Sequence, residues 1–295
     1  MKVTESHRPK PITIGGREFA WGARTYVMGI VNVTPDSFSG DGLDRDIEDA
    51  VEQAARMAEQ GADIIDVGGE STRPGFDAVS VDEEIARTAP VIERLARELD
   101  VPVSIDSYKS EVVRAALASG AALVNDVHGF RRDPEVAAAA AEAGVPAVAM
   151  HHQRDREFTD TIGDVTTGLL ESLRIAREAG LPEERVIVDP GFNFGWTNEQ
   201  ALEMLRRLGE LRALGRPLLL GTSRKSTIGA VLDLPVEERL EGTAATIALA
   251  VAAGVDIVRV HDVREMSRVV RMADAVVRPD GRPSGRGWAA ETATA

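Results

Sequence analysis

Short apolar runs recur along the chain, and amphipathic stretches separate them. Eight runs are rich in β-branched residues, as buried strands are: 26–33, 64–68, 103–107, 123–127, 147–151, 186–190, 218–222 and 257–261. The stretches between them follow a helical period. Between Asp46 and Gln60, for example, apolar residues at 47, 50, 51, 54 and 57 share one face.

The same period predicts helices at 46–60, 81–99, 110–119, 165–179, 198–214 and 236–253, with a short Ala-rich helix near Ala137–Ala141. A glycine stands just after six helical stretches, where a left-handed C-cap belongs: Gly61, Gly120, Gly144, Gly180, Gly215 and Gly254. Strands that alternate with helices in this way predict a parallel sheet.

The number of these units predicts how the sheet closes. Eight strand–helix units in 295 residues favour a single closed (β/α)8 barrel, the TIM-barrel fold, over an open doubly wound sheet. No G-x-G-x-x-G motif follows the first strand, which also argues against a dinucleotide-binding sheet. We expect a lead-in over residues 1–25, the barrel over 26–278 and a loose tail over 279–295.

Composition and charge narrow the function classes. The net charge of −14 argues against nucleic acid as a partner, because a phosphate backbone needs a basic face. The absence of cysteine excludes disulfides and thiolate chemistry, and favours a cytoplasmic location. No apolar run approaches the length of about 20 residues that a membrane helix needs, and the first residues lack a signal-peptide pattern.

Each predicted strand ends on polar residues. They are Asn32, Asp66, Asp106, Asn125, His151, Asp189, Lys225 just past the seventh strand, and Arg259 with His261. A single such residue is more often a buried hydrogen-bonding group or a helix N-cap. Together they predict an active site, because the carboxyl ends of the strands meet at one mouth of a barrel.

The residue types at these ends suit two kinds of ligand. Carboxylates and amides suit a heterocycle with several N–H donors, and the cations suit a phosphate or diphosphate. A helix N-terminus after GTSRKS also favours an anion. No zinc-type spacing occurs, so a hard ion such as Mg²⁺, with one oxygen from Asn32, fits better. Two long loops, Thr34–Leu43 and Gly68–Ser80, are expected to act as lids, with a plain surface connection as the alternative for the second.

Eight motifs in order give the chain a family resemblance. MGIVNVTPDSFSGDG, DVGGESTRPG, SIDS, NDV, MH, DPGFNFG, SRKS and RVHD resemble the dihydropteroate synthase family from about Met28 to Arg278. The resemblance implies a homodimeric (β/α)8 barrel and a transferase of folate biosynthesis that sulfonamides inhibit. It would join 4-aminobenzoate to a hydroxymethyl-dihydropterin diphosphate and release diphosphate.

The resemblance also implies roles for individual residues. Asp106, Asn125, Asp189 and Lys225 would bind the pterin; Arg259, His261 and Asn32 would bind diphosphate and Mg²⁺; Thr72, Arg73, Pro74 and Ser226 would contact aminobenzoate. Met150 would be a further substrate-binding residue. The catalytic group would be Asp106, Asp189, Lys225, Arg259 and His261. The implied mechanism breaks the C–O bond to diphosphate before the arylamine attacks, with charge stabilised on both fragments.

Several positions depart from the family pattern. Asn193 stands where glycine is usual, Trp196 where lysine is usual and Ala201 where asparagine is frequent. We expect Asn193 and Trp196 to affect the shape of the pterin pocket and the reaction class to be unchanged. His128 and His152 match no family motif and are predicted to be structural or surface residues.

Two other functions fit part of the pattern. A corrinoid-linked methyltetrahydrofolate methyltransferase also binds a pterin on a barrel, but it expels no diphosphate and would not need the STRPG, SRKS and RVHD motifs. The second is a non-catalytic pterin-binding paralogue with a regulatory or interaction role. Loss of Asp106, Lys225, Arg259 or the lid would favour it, and all are present, so a turnover measurement is what separates it from an enzyme.

Overall fold

The computed structural model describes residues 9–33, 43–70, 79–152 and 159–278. A β-hairpin, β1 (Ile12–Ile14) and β2 (Arg17–Phe19), precedes the barrel. The barrel strands are β3 (Tyr26–Asn32), β4 (Ile64–Gly68), β5 (Val103–Asp106), β6 (Leu123–Asp126), β7 (Ala147–Met150), β8 (Val186–Asp189), β9 (Leu219–Leu220) and β10 (Ile257–Val260).

Helices connect these strands and pack on the outside of the sheet. They are α1 (Leu43–Glu59), α2 (Val81–Glu98), α3 (Ser110–Ala118), α4 (Glu135–Ala143), α5 (Thr161–Glu178), α6 (Asn198–Arg207), α7 (Ser226–Leu232), α8 (Leu240–Ala253) and α9 (Val263–Val277). Within the described ranges, no helix combines the length and apolar content that crossing a membrane requires.

The strands form one parallel sheet that closes on itself. Each strand from β3 to β8 pairs with the next, and β10 pairs with both β9 and β3. A bridge between Val188 and Leu218 joins β8 to β9 and completes the ring. The predicted (β/α)8 barrel is therefore confirmed, and all eight strand carboxyl ends lie at one mouth.

The opposite end of the barrel is filled with apolar side chains. Ile14, Phe19 and Trp21 of the hairpin segment are buried against the inward residues near the strand starts: Tyr26, Met28, Ile64, Leu123, Val148, Ile187, Leu219 and Ile257. The rings of Phe19 and Tyr26 have centroids 4.6 Å apart. Burying one such side chain contributes about 1.5–3 kcal/mol. The hairpin thus plugs the floor and leaves the mouth for polar residues.

The predicted elements differ from the observed ones mainly at their ends. All six predicted capping glycines have positive φ, as expected. The helix predicted at 198–214 changes to a 3-10 helix at Leu208, next to Gly209, which disfavours α-helix. The helix predicted from 236 begins at Leu240, because Val236–Glu238 forms a 3-10 turn and Arg239 donates to the carbonyls of Arg224 and Leu234.

Candidate active site

Alternation along the strands aims one set of polar side chains into the barrel mouth. Asn32 is in register with Gly68, Gly68 with Asp106, and Asp106 with Asn125. Across the ring, Met150 of β7 is in register with Asp189 of β8. Since side chains two apart share a face, these residues and Arg259 lie above the apolar floor.

Arg259 reaches across the barrel to two carboxylates. Its Nε donates to Asp66 Oδ2 at 2.6 Å and its Nη2 donates to Asp106 Oδ2 at 2.6 Å. Asn125 Nδ2 donates to the same Asp66 oxygen at 2.9 Å. We call Arg259, Asp66, Asp106 and Asn125 the Arg259 cluster. Burial disfavours the guanidinium, but Asp66 and Asp106 outweigh it and raise the pKa of Arg259.

Two carboxyl groups at the mouth have pKa values near neutrality. Burial raises the pKa of Asp106 to about 7, against the opposing effect of Arg259 and with a further rise from Asp66. Burial likewise raises the pKa of Asp189 to about 6, opposed by the Gly191 N–H at 2.7 Å and by Lys225. Burial therefore shifts both carboxyl groups toward the protonated form relative to a free aspartate, as often happens at functional sites.

The loop after β8 turns sharply over the strand end. Gly191 has φ of +74°, and a Cβ there would lie 1.8 Å from the carbonyl oxygen of His151, so no other residue fits. The turn carries Phe194 to the mouth, where the Lys225 Nζ lies 4.3 Å from its ring centroid. This contact joins the loops after β8 and β9.

The loop after β9 also contacts the tip of β10. The His261 backbone N–H donates to Ser223 Oγ at 3.2 Å, and His261 Nδ1 lies 3.0 Å from the same oxygen. The predicted cations Lys225, Arg259 and His261 therefore lie on neighbouring elements of the mouth.

The three departures from the family pattern have different surroundings. Asn193 links the loop after β8 to the start of α7 through Ser226 and Thr227. Trp196 packs near Phe192 in the cluster between the helices and the barrel, and Ala201 is buried in that same cluster. Asn193 therefore contacts a predicted substrate-binding residue, Ser226.

Some predicted residues lie elsewhere. His151 does not point into the mouth: its ring lies against Gly168 of α5, and the inward neighbour is Met150. His128 and His152 are half-buried, with ring centroids 4.4 Å apart, between Tyr108 and Phe194. Outside the described residues lie Thr72, Arg73 and Pro74, the tail from 279, and most of the two predicted lids: residues 34–42 of the lid at 34–43 and residues 71–78 of the lid at 68–80.

A charged cluster beside the mouth was not predicted from the sequence. Lys109 Nζ donates to Glu70 Oε2 at 2.6 Å, to Glu84 Oε2 at 2.7 Å and to the Val79 carbonyl at 2.6 Å. Tyr108 donates to Glu70 Oε1 at 2.8 Å. We call Lys109, Glu70, Glu84 and Tyr108 the Lys109 cluster. The one available signal was Glu70 and Lys109 standing just beyond two strand ends.

The described residues offer little for a metal cage. They contain no group of three or more His, Asp or Glu side chains arranged to hold a metal ion. Asn32 is half-buried at the carboxyl end of β3 and presents an amide group there. A single amide oxygen fits Mg²⁺ held largely by water and substrate phosphates, which is how this ion commonly binds.

Comparison with known proteins gives a consistent result. The family model described as "Pterin binding enzyme" matches residues 28–261. A dihydropteroate synthase of Clostridium beijerinckii is 50% identical over 266 residues, covering 90% of this chain and 99% of the relative.

Solved structures agree with that match. A Clostridium difficile dihydropteroate synthase crystallised with pteroic acid has a TM-score of 0.86 at 48% identity, covering 88% of this chain and 99% of that one. The Xanthomonas albilineans enzyme with 4-aminobenzoic acid has a TM-score of 0.86 at 42% identity, covering 91% and 98%.

Proposed function

This chain belongs to the dihydropteroate synthase family of pterin-binding enzymes, and on that premise we propose how the mouth of its barrel performs the family reaction. The reaction joins 4-aminobenzoate to (7,8-dihydropterin-6-yl)methyl diphosphate and yields 7,8-dihydropteroate and diphosphate. The observation that carries the proposal is the Arg259 cluster, in which one guanidinium is fixed by two carboxylates inside the mouth.

The pterin would bind above the apolar floor. Asp189 and Asp106 accept N–H groups of the heterocycle, and Asn125 supplies an amide beside them. Met150, buried next to Asp189 in the register, offers an apolar surface for the ring. Lys225, over Phe194, would donate to a ring acceptor. The near-neutral pKa values of the two carboxyl groups suit a ligand whose charge changes during reaction.

The diphosphate would leave toward the cations. Arg259 uses Nε and Nη2 on Asp66 and Asp106, so its remaining N–H groups are oriented and available to phosphate oxygens. His261 lies at the end of the same strand, two residues on. Mg²⁺ held with help from Asn32 would add positive charge on the diphosphate oxygens.

The reaction follows from where charge develops. The C–O bond to diphosphate breaks and its electron pair leaves with the phosphate, so a pterin-methyl cation remains. Asp106 and Asp189 stabilise that cation, while Arg259 and His261 stabilise the leaving group. The arylamine nitrogen then forms the C–N bond and releases one proton. No covalent bond to the protein is required.

Aminobenzoate would approach from the start of α7. Ser226 is the first residue of that helix and stands next to Lys225. Thr72, Arg73 and Pro74 are proposed as its other contacts on the grounds of the family resemblance. A sulfonamide would compete at this same position.

Diphosphate release tests the reaction directly. Purified protein receives Mg²⁺ and dihydropterin diphosphate, with and without 4-aminobenzoate, and diphosphate and dihydropteroate are measured in parallel. We expect release that depends on aminobenzoate, with one dihydropteroate per diphosphate. Pterin binding without product would instead support a non-catalytic role.

Variants test the site assignment. Lys225→Ala and Arg259→Ala should each nearly abolish diphosphate release while circular dichroism shows a folded barrel. Arg174→Ala, which removes an exposed cation paired with Glu171 on α5, is the control and should keep full activity. Near-normal turnover in either folded mouth variant would refute the assignment.

We also propose a cytoplasmic homodimer. The outward faces of α8 and α9 support it, since Leu249, Met272 and Val276 are each at least 60% exposed on these adjacent helices. Sedimentation equilibrium should give twice the mass of 31.6 kDa, and Met272→Glu should shift it toward the monomer. A wild type that stays monomeric at micromolar concentration would contradict this.

A further inference from the structure

Asn193 bridges two loops of the mouth. Its Nδ2 donates to Ser226 Oγ at 2.6 Å, and its Oδ1 accepts from Thr227 Oγ1 at 3.0 Å. Asn198 Oδ1 lies 2.9 Å from the same hydroxyl, so the two amide oxygens share the single Thr227 proton. One amide thus joins the loop after β8 to the first turn of α7.

The backbone alone does not account for asparagine at this position. Asn193 has φ of +66°, in the left-handed region that glycine adopts without cost and asparagine tolerates. A glycine would make the same turn and lose only the side-chain contacts. What the amide adds is therefore its pair of hydrogen bonds.

The hydrogen bond from Asn193 Nδ2 sets the direction of the Ser226 hydroxyl, and the contact with Thr227 holds the amide in place. A hydroxyl has one proton and two acceptor lone pairs. The Asn193 amide occupies one lone pair, so the Ser226 proton is left for an acceptor on another side. A carboxylate is such an acceptor, and hydrogen bonds to charged groups are the stronger ones.

We infer that Asn193 is a positioning residue for the carboxylate of the arylamine substrate, acting through Ser226. The inference rests on the proposed function, in which Ser226 contacts 4-aminobenzoate. In this inference Asn193 acts through its hydrogen bond to Ser226 and not by direct contact with a substrate. Its effect should therefore appear in the binding of one substrate and not in the chemical step.

Asn193→Gly tests this with the turn preserved. The KM for 4-aminobenzoate should rise roughly fivefold, the effect of one ordinary hydrogen bond, while kcat and the KM for the pterin diphosphate stay within about 1.5-fold. Asp233→Gly is the matched control, because Asp233 also has a left-handed φ, of +55°, but lies exposed at the far end of α7. It should leave all three constants unchanged.

A second variant makes the same point by reversing the hydrogen bond. Asn193→Asp also tolerates the left-handed turn, but its carboxylate accepts the Ser226 proton instead of donating to the oxygen. Its KM for 4-aminobenzoate should rise more than that of Asn193→Gly. An equal or smaller rise would overturn the orientation argument.

A double-mutant cycle identifies the route. In a Ser226→Ala background, Asn193→Gly should change the KM for aminobenzoate by less than about 1.5-fold, since the residue through which it acts is gone. Full additivity would overturn the inference, as would an unchanged KM in Asn193→Gly alone. The activity of the wild-type protein is a separate result. If the wild type makes dihydropteroate, the KM changes test the role of Asn193 alone. If the wild type makes none, the proposed function fails, and the inference about Asn193 fails with it.

Discussion

Replacing Lys109 by Met should lower the free energy of unfolding more than the loss of a surface ion pair would. The ammonium group makes three hydrogen bonds, to Glu70, Glu84 and the Val79 carbonyl, at 2.6–2.7 Å. The side chain of Lys109 is 13% exposed, that of Glu70 11% and that of Glu84 1%. Removing the cation leaves two poorly solvated carboxylates facing each other.

The expected magnitude follows from that burial. Breaking a buried ion pair by removing one partner costs about 3–5 kcal/mol, because the remaining charge is uncompensated. Because the Glu84 side chain is only 1% exposed, we expect the cost of Lys109→Met to lie within this range. For a chain of this size, each kcal/mol lowers Tm by about 2–4 °C, so a fall of roughly 10 °C is expected.

Urea unfolding at pH 7.5, followed by circular dichroism, measures the effect. Arg174→Met is the control: its pairs with Glu171 and Glu178 on α5 are exposed to solvent, so losing them should change the stability little. Adding Glu84→Gln to Lys109→Met should restore part of the loss, since it removes the most buried unpaired charge. A loss in Lys109→Met no greater than in Arg174→Met would refute the reasoning.

Three further changes test the mouth. Arg259→Lys should lower diphosphate release at least about 100-fold, since one ammonium cannot reproduce the fork that spans Asp66 and Asp106; activity within tenfold of wild type would contradict this. Asp189→Asn should be more stable than wild type by about 3 kcal/mol above pH 7 and about as stable near pH 4. The reason is that burial raises the pKa of Asp189 in the folded protein to about 6, so the wild type loses stability as the pH rises toward that value. Urea unfolding at both pH values measures the difference in unfolding free energy between Asp189→Asn and wild type. A difference that does not change with pH would contradict the raised pKa of Asp189 as its cause. EDTA should abolish diphosphate release and excess Mg²⁺ should restore it; full activity in EDTA would remove the metal from the proposal.

The barrel was predictable because its signals are local and repeated. Each strand is a short apolar run, most helical stretches have an apolar face, and six of them are followed by a glycine. The hairpin was not predicted, because strands of three residues, Ile12–Ile14 and Arg17–Phe19, are too short to show a period. Their role depends on Phe19 meeting the strand starts, a contact between distant parts of the chain.

The sequence predicts that polar residues meet at the mouth of the barrel, but it does not predict which of them form ion pairs and hydrogen bonds with each other. Arg259 lies 193 residues from Asp66 and 153 from Asp106, and only the register of a closed sheet brings them together. The same dependence explains the error at His151. Side chains alternate between the two faces of β7, so only one of Met150 and His151 can face the mouth. The sequence shows that His151 is polar but does not show which face of the strand it lies on.

Two clusters with the same charges show what separates a structural ion pair from a site. Lys109 and Arg259 each bridge two carboxylates. Burial tends to raise the pKa of Glu70, yet Lys109, Tyr108 and the Val79 N–H outweigh it and lower that pKa.

At Asp106 the balance is reversed. Burial raises its pKa to about 7, and Arg259 does not offset it. Asp66 Oδ1, also buried, has no hydrogen-bond partner among the described residues. In the Lys109 cluster the charged groups are thus paired by hydrogen bonds within the cluster, and these contacts stabilise the fold. The Arg259 cluster contains a buried acceptor without a donor, which costs stability, and in the proposed function an N–H group of the substrate would supply that donor.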